Sequence, residues 1–219
     1  AIFYHEGGGG NILTFSPAEK GSWANSSSGI QKIKKVKTGY LLSTSSGKEM
    51  LFGANGLLDR VNDKNKNYHS YKYENGLLVE VKDNFNNQIK FTWKEFGKFP
   101  RIVAVDSGDL KARYTYNQNG SLAKAVGSDG MAFAYNYDDE YNLLKISYAD
   151  GSTKEMAYNK TRDWITNFKE RDGTKFSYDY ISDSLDPESK FGTTVTRKNP
   201  DDKEAELSRF WYEFRKKSD

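Results

Sequence analysis

The sequence contains no cysteine and only two histidines, His5 and His69. Without cysteine there is no disulfide framework, no thiolate metal site and no cysteine nucleophile, and two histidines are too few for an all-histidine metal centre. No apolar run approaches the ~18 residues of a membrane-spanning helix, and the first residues lack the basic start and apolar stretch of a signal peptide. We therefore expect a chain that does not span a membrane and whose export signal, where it has one, lies outside this sequence.

The sequence also has little excess charge of either sign and few prolines. Across 219 residues, 33 Lys and Arg face 30 Asp and Glu, which gives a net charge of +3. A balance this close does not indicate nucleic acid as a partner. Proline occurs 4 times, whereas Tyr and Phe occur 15 and 13 times. This aromatic excess favours twisted sheet over helix and predicts an all-β chain.

A period of 20 to 23 residues runs through the middle of the sequence. Bulky residues two positions apart, which lie on one face of a strand, recur at this interval. A turn and an apolar pair three positions apart stand between successive bulky pairs, and the two series stay in phase for six units. We expect the bulky pairs to pack across strands and hold their register; they are Tyr71 with Tyr73, Phe91 with Trp93, Tyr114 with Tyr116, Tyr135 with Tyr137, Met156 with Tyr158, and Phe176 with Tyr178.

Each unit is predicted to be one β-hairpin. An apolar pair such as Leu78 and Val81 marks the first strand, and the bulky pair marks the second. Turn pairs such as Asn75-Gly76 and Asp150-Gly151 tolerate the positive φ angles of tight hairpin turns. The predicted fold is therefore a series of antiparallel hairpins in a curved or spiralling sheet, with an amino-terminal β segment over 1–52, six degenerate repeats over 53–180 and a capping segment over 181–219.

The repeats resemble those of the RHS or YD-repeat family, whose consensus reads roughly G-x-L-x-x-V-x-D-x-x-G-x-x-x-x-Y-x-Y-D. The chain carries GLLDRVNDKNKNYHSYKYE, GLLVEVKDNFNNQIKFTWK and GSLAKAVGSDGMAFAYNYD with matching spacing. It departs from the consensus at the aspartate after the second aromatic residue, which is present only as Asp138 and Asp179. The resemblance implies a relative of bacterial Rhs, wall-associated and toxin-shell proteins and of teneurin-like YD repeats, with a structural or adhesive role at the cell surface or in a secreted shell.

Two alternatives stay open for the carboxyl-terminal residues 207–216. A strand would carry Tyr212 and Phe214 on one face, whereas a short helix would place Leu207, Phe210, Trp211 and Phe214 on one face. The preceding residues from Thr193 to Arg197 are predicted to form a strand. In either case we expect this end to protect a sheet edge that would otherwise be exposed.

Catalytic and metal-binding patterns are weak. The two histidines lie far apart in the sequence, and the glycine run at 6–10 lacks the Lys-Ser/Thr pair of a phosphate-binding loop. Carboxylates recur at turn positions, where they bond to the turn backbone. The oxygen-rich stretches 63–67 and 83–87 lack the bidentate Glu and central Gly of a calcium loop. We therefore expect no enzymatic activity, no cofactor and no metal site.

Binding at a surface is the functional alternative. The basic stretch 31–37 is suited to anionic glycans or lipid surfaces, although lysines along a strand are commonly a solvated face. Exposed aromatic rings beside amides are typical of sugar-binding surfaces, and Trp93 and Trp164 are the predicted ligand-binding residues. The sequence thus predicts a cell-surface glycan or a protein as partner, and a secreted, periplasmic or cell-surface location in a bacterium.

An outer-membrane β-barrel is disfavoured because strands such as HSYKYE carry Lys and Glu.

Overall fold

The computed structural model describes residues 2–5, 12–25, 31–97, 99–182 and 190–213. Throughout these residues the chain forms strands and turns and no helix. The chain divides into two compact units, unit 1 over Ala1–Trp93 and Ile102–Lys111, and unit 2 over Lys94–Arg101 and Ala112–Asp219. The prediction of an all-β chain is confirmed.

Unit 1 begins with nine short strands that follow one another at intervals of a few residues. These strands are β1 (Ile2–His5), β2 (Ile12–Pro17), β3 (Ser22–Asn25), β4 (Gln31–Val36), β5 (Gly39–Ser43), β6 (Glu49–Gly53), β7 (Leu58–Asn62), β8 (Tyr68–Glu74) and β9 (Leu77–Asp83). Three further strands contribute residues to both units: β10 (Gln88–Phe96), β11 (Phe99–Ser107) and β12 (Leu110–Tyr116).

Unit 2 continues with strands of similar length. They are β13 (Leu122–Gly127), β14 (Ala132–Tyr137), β15 (Leu143–Tyr148), β16 (Thr153–Tyr158), β17 (Ile165–Lys169), β18 (Lys175–Ser182), β19 (Lys190–Lys198) and β20 (Glu206–Glu213). Strands β19 and β20 confirm the predicted strand at 193–197 and decide the carboxyl-terminal alternatives in favour of a strand. Phe214, the second member of the bulky pair predicted there, lies outside the described residues.

Pairing within each unit joins strands that are consecutive in sequence, and it is antiparallel. In unit 1 this holds from β1 to β10, and in unit 2 from β12 to β20. Each unit is thus an open meander of hairpins. The predicted series of antiparallel hairpins is confirmed.

A β-bulge explains why a bulky pair two residues apart faces an apolar pair three residues apart. Tyr135 lies opposite Ile146 and Tyr137 opposite Leu143, and the register shifts between the two positions. The extra residue, Leu144, lets both apolar side chains meet the aromatic face, because residues three apart in a regular strand point to opposite faces. The same shift occurs between β6 and β7, β8 and β9, β12 and β13, and β16 and β17.

Most hairpin loops have three residues rather than the two of a tight turn. In the loop 148–152, the N–H of Tyr148 donates to the carbonyl of Ser152, and the N–H of Gly151 donates to the carbonyl of Tyr148. Only the glycine has positive φ, at 82°, which is the pattern of a type I turn followed by a left-handed residue. The expected tight turn occurs at Asn75-Gly76, where both residues have positive φ. At Asp150-Gly151 the predicted tight turn was therefore wrong in type. Asp150 has a negative φ, and the loop contains three residues instead of two.

Five described loops place a residue other than glycine in the left-handed region, and three of these loops share one sequence pattern. Lys66, Asn86 and Tyr141 have φ of 67°, 69° and 68°. This conformation costs an L-residue roughly 1–2 kcal/mol. In each case an aspartate three positions earlier begins the loop and an asparagine one position later ends it, as in the loops 63–67, 83–87 and 138–142.

Fully buried apolar side chains lie in unit 1. Phe15 in β2 and Leu42 in β5 are 0% exposed. Ile33 in β4 and Met50 in β6 pack with them. Every buried hydrophobic residue of the described chain belongs to this unit. The described aromatic residues of unit 2 are half-buried or exposed, so its strands depend on cross-strand contacts and loop hydrogen bonds to a greater degree.

Candidate functional site

The second aromatic residue of a hairpin reaches back to the start of the preceding strand. The Tyr158 hydroxyl donates to the carbonyl of Leu143 at 3.1 Å, and the Tyr180 hydroxyl donates to the carbonyl of Ile165 at 2.7 Å. The Trp93 indole N–H makes the same contact with the carbonyl of Leu78 at 2.8 Å, again 15 residues away. The hydroxyl or indole N–H group of each residue is therefore already hydrogen-bonded to the backbone of its own hairpin.

Burial has a common effect on the tyrosines at this position. It raises the pKa of the tyrosine hydroxyl, because the charged phenolate loses more hydration than the neutral phenol. The tyrosines affected in this way are Tyr73, Tyr116, Tyr137, Tyr158 and Tyr180. These hydroxyls remain protonated hydrogen-bond donors at neutral pH.

Tyr180 is a residue that the sequence pattern missed. The predicted pair in strand β18 was Phe176 and Tyr178, but the hydroxyl that bonds to the preceding strand belongs to Tyr180. The loop before Trp164 is one residue longer than the others, since Asn159 bonds to Trp164 rather than to the residue before it. The interval of 22 residues from Leu143 to Ile165 lies within the repeat period of 20 to 23 residues, so the spacing carries no sign of this longer loop.

The two predicted ligand-binding tryptophans lie in different surroundings. Trp93, in unit 1, is half-buried and its indole N–H is already bonded to Leu78. Trp164, in unit 2, is 38% exposed. Its ring lies 4.6 Å from that of Tyr180, with the Arg162 guanidinium 4.8 Å above it. Trp164 is therefore the more exposed of the two predicted tryptophans, although Arg162 lies over its ring.

Polar groups surround Trp164. The carboxylate of Asp163, which precedes it, accepts a hydrogen bond from the Asn142 side-chain amide at 3.1 Å. Together with Arg162 and Tyr180, these residues form what we call the Trp164 cluster (Asn142, Arg162, Asp163, Trp164 and Tyr180). It combines an aromatic face with amide, carboxylate and guanidinium groups, which is the combination that sugar hydroxyls and rings require.

The other two tryptophans have structural contacts. Trp23 packs edge-on against Tyr40, with ring centroids 6.3 Å apart, at the border of the unit 1 core. Trp211 in β20 is 62% exposed and lies over Gly192 of β19. A Cβ at Gly192 would come within 3.0 Å of the indole. Glycine there lets the ring lie flat against the neighbouring strand.

Loop aspartates bond to their own loops, as the sequence predicted. Asp63 accepts hydrogen bonds from the N–H groups of Asn65 and Asn67, both at 2.8 Å, and from the Asn67 side-chain amide at 2.9 Å. The Asn67 amide, aided by the two N–H groups, holds the pKa of the Asp63 carboxyl below its ordinary value. These oxygens serve as turn acceptors. Among the described residues, no group of three or more His, Asp or Glu side chains is arranged to hold a metal ion.

Of the two histidines, the structure describes the side chain of His69. His69 is exposed and lies opposite Val61 and Asp83. It borders an open cavity of about 450 Å³ together with Lys48 and Asp63. His5 lies in β1, and its side chain is outside the described part of the structure.

The basic stretch 31–37 forms strand β4 and the turn after it. Ile33 is 4% exposed and belongs to the core, whereas its neighbours Lys32 and Lys34 are exposed. The Lys32 ammonium lies 3.4 Å from the Glu19 carboxylate. This alternation gives one buried face and one solvated face.

No helix long and apolar enough to cross a membrane occurs among the described residues. Comparisons with known proteins gave matches among solved structures. No protein-family model and no curated protein matches the sequence. Among solved structures, the chain is similar to the TcdB2-TccC3-TEV structure, with 13% identity and a TM-score of 0.46 over 87% of this chain and 14% of that one.

Two related structures give similar values. TcdB2-TccC3 without its hypervariable C-terminal region is 13% identical, with a TM-score of 0.43 over 88% of this chain and 14% of that one. The Photorhabdus luminescens Tc holotoxin pore is 12% identical, with a TM-score of 0.42 over 87% and 14%. This chain thus spans 14% of the length of each.

Proposed function

We propose that the chain is a non-enzymatic repeat module of the RHS/YD type, with a structural or adhesive role in an exported or cell-surface protein. The observation that carries the proposal is the hydrogen bond from the second aromatic residue to the preceding strand, found at Trp93, Tyr158 and Tyr180. It ties the aromatic residues that define the repeat to the hairpin backbone, so the repeated spacing stabilises the sheet itself. The repeat consensus then needs no catalytic explanation.

The loop carboxylates support the same proposal. Asp63, Asp83 and Asp138 each accept hydrogen bonds from two N–H groups of their own loop. Each also accepts one from an asparagine side chain. A carboxylate held in this way has its lone pairs occupied by the loop and contributes to turn geometry.

The test is to incubate the purified chain with bacterial cell-wall material and to measure both retention and turnover. We expect retention of the chain on the material with no release of sugars or peptides. Turnover that a single carboxylate-to-amide change abolishes, together with no retention, would replace this proposal with an enzymatic one.

The second candidate is recognition of a neutral sugar by the Trp164 cluster. The partial exposure of the Trp164 side chain and the neighbouring guanidinium of Arg162 favour it. A sugar ring stacked on an indole changes its fluorescence. We expect sugar-dependent fluorescence in the wild type and in W93F, and its loss in W164F. A response that persists in W164F would exclude this cluster as the site.

A further inference from the structure

A row of charged side chains crosses one face of the sheet in unit 2. Lys145 lies directly opposite Glu155, Glu155 opposite Lys169, Lys169 opposite Lys175, and Lys175 opposite Lys198. Directly opposite residues of an antiparallel pair share a face. These five residues, from β15 to β19, form what we call the lysine row.

The positive charge in the lysine row is compensated at one end only. The Glu155 carboxylate lies 3.7 Å from the Lys169 ammonium and also accepts a hydrogen bond from Thr153 at 2.9 Å. Across the described residues, no carboxylate forms an ion pair with Lys175 or Lys198. The excess of positive charge is therefore concentrated on strands β17 to β19.

Three neighbouring lysines without an intervening carboxylate are unfavourable for the sheet. Directly opposite Cα atoms are about 4.5–5.5 Å apart, so Lys169, Lys175 and Lys198 start within roughly 10 Å of one another. Like charges at such positions destabilise the pairing of strands. A bound anion would remove this repulsion.

Polar groups lie next to the lysine row on the same face. Asn167, Ser177 and Thr196 are directly opposite one another on β17, β18 and β19, two positions from the three lysines. A surface cavity of about 360 Å³ is bordered by Lys169, Lys175, Asn167 and Ser177, with Glu155 also at its rim. The face thus offers ammonium groups and, beside them, neutral hydrogen-bonding groups.

We propose that the lysine row binds an anionic polysaccharide. Such a polymer carries carboxylate or sulfate groups among hydroxyl groups, which matches lysines beside amide and hydroxyl side chains. The lysine row shares no residue with the Trp164 cluster, so an experiment can contradict one proposed binding site without contradicting the other.

The test compares two variants with the same change in net charge. The first is K169Q/K175Q/K198Q, and the control is K90Q/K124Q/K160Q, whose lysines never lie opposite another lysine. Binding to polygalacturonate, dextran sulfate and neutral dextran is measured at low and high salt. We expect the wild type to bind one or both anionic polymers and not to bind neutral dextran. The two anionic polymers distinguish recognition of carboxylate from recognition of sulfate.

The row variant is expected to bind at least about tenfold more weakly, and the control variant within about threefold of the wild type. Removal of the repulsion should leave the thermal midpoint of the row variant unchanged or raised. Equal weakening in both variants would mean that only overall charge matters and would overturn the proposal. Tighter binding to duplex DNA or to anionic vesicles than to either polymer would also overturn it.

Glu155 provides a test that does not depend on removing lysines. E155Q deletes the single carboxylate of the row, so binding to the anionic polymer should become tighter. Should the triple variant fail to fold, this measurement alone decides, since unchanged or weaker binding in E155Q contradicts a site at the row.

Discussion

The hydroxyl of Tyr158 donates a hydrogen bond to the backbone carbonyl of Leu143 at 3.1 Å. Backbone pairing between β15 and β16 ends at Lys145 and Glu155, so the Leu143 carbonyl lies beyond the ladder. It also lies beside the bulge at Leu144. The tyrosine side chain therefore gives this carbonyl a donor from β16 beyond the last paired residues of β15 and β16.

Removal of this hydroxyl should weaken the fold. Y158F leaves the ring in place but deprives the Leu143 carbonyl of its donor, and we expect a loss of about 0.5–1.5 kcal/mol in unfolding free energy. Urea unfolding followed by circular dichroism measures it. The control is Y135F, whose ring occupies the first aromatic position opposite Ile146; equal losses in the two variants would contradict a role for the Tyr158 hydroxyl.

A glycine at Tyr141 should stabilise the chain. Tyr141 has φ of 68° and is 59% exposed, so its side chain contributes little burial while its backbone is strained. Relief of a left-handed conformation, offset by the entropy that glycine adds to the unfolded state, should raise the unfolding free energy by about 0.5 kcal/mol. E140G, in the same loop with ordinary φ, should lower it, and a loss in both variants would argue against strain at Tyr141.

Truncation of a core ring should cost more than truncation of a repeat ring. Phe15 is 0% exposed, and F15A should lose about 3–5 kcal/mol. Tyr114 is half-buried opposite Ala125, so Y114A should lose less, about 1–2 kcal/mol. Unfolding by denaturant compares them, and similar losses would mean that the aromatic face of the repeats is as well covered as the core of unit 1.

Acid should destabilise the loop that begins at Asp138. Partial burial of its carboxyl opposes the shift, but the donors of Asn142 and Glu140 outweigh it and lower the pKa of Asp138 below its ordinary value. Because the folded pKa is the lower one, the stabilisation is present above the unfolded pKa of about 3.9 and is lost as the pH falls through the folded pKa.

The variant D138N should therefore be less stable than the wild type at pH 7 and should lose less stability between pH 5 and pH 2. The control is D139N, a change at the neighbouring residue that leaves Asp138 and its hydrogen-bond donors in place. Thermal unfolding across this pH range measures both, and identical pH profiles for D138N and the wild type would contradict the assignment.

The hairpin series could be predicted because strand faces repeat every two residues and turns need particular residues. Tyr71 with Tyr73 and Asn75-Gly76 are a bulky pair and a turn that the sequence displays directly. The turn at Tyr141 was hidden, since a tyrosine gives no sign that its backbone is left-handed. The bonding hydroxyl of β18 was hidden for a similar reason, because a loop one residue longer before Trp164 moves it to Tyr180.

The lysine row could not be predicted because its members are far apart in the sequence. Lys169 and Lys198 are joined only by the register of β17, β18 and β19. That register depends on loop lengths and on the bulge in each hairpin, so an error of one residue would move every lysine to the opposite face. Trp164 could be selected from its residue type, whereas its neighbours Arg162 and Tyr180 required the structure.

The open meander has a mechanical consequence. Each strand is bonded only to the strands that precede and follow it, so tension on the two ends of a unit loads the hydrogen bonds of one hairpin at a time, as in a zipper. Such a unit extends at low force in steps of one strand, and each released strand can pair again when the force falls. A protein built from this sheet would behave under load as a reversible spring rather than as a rigid strut.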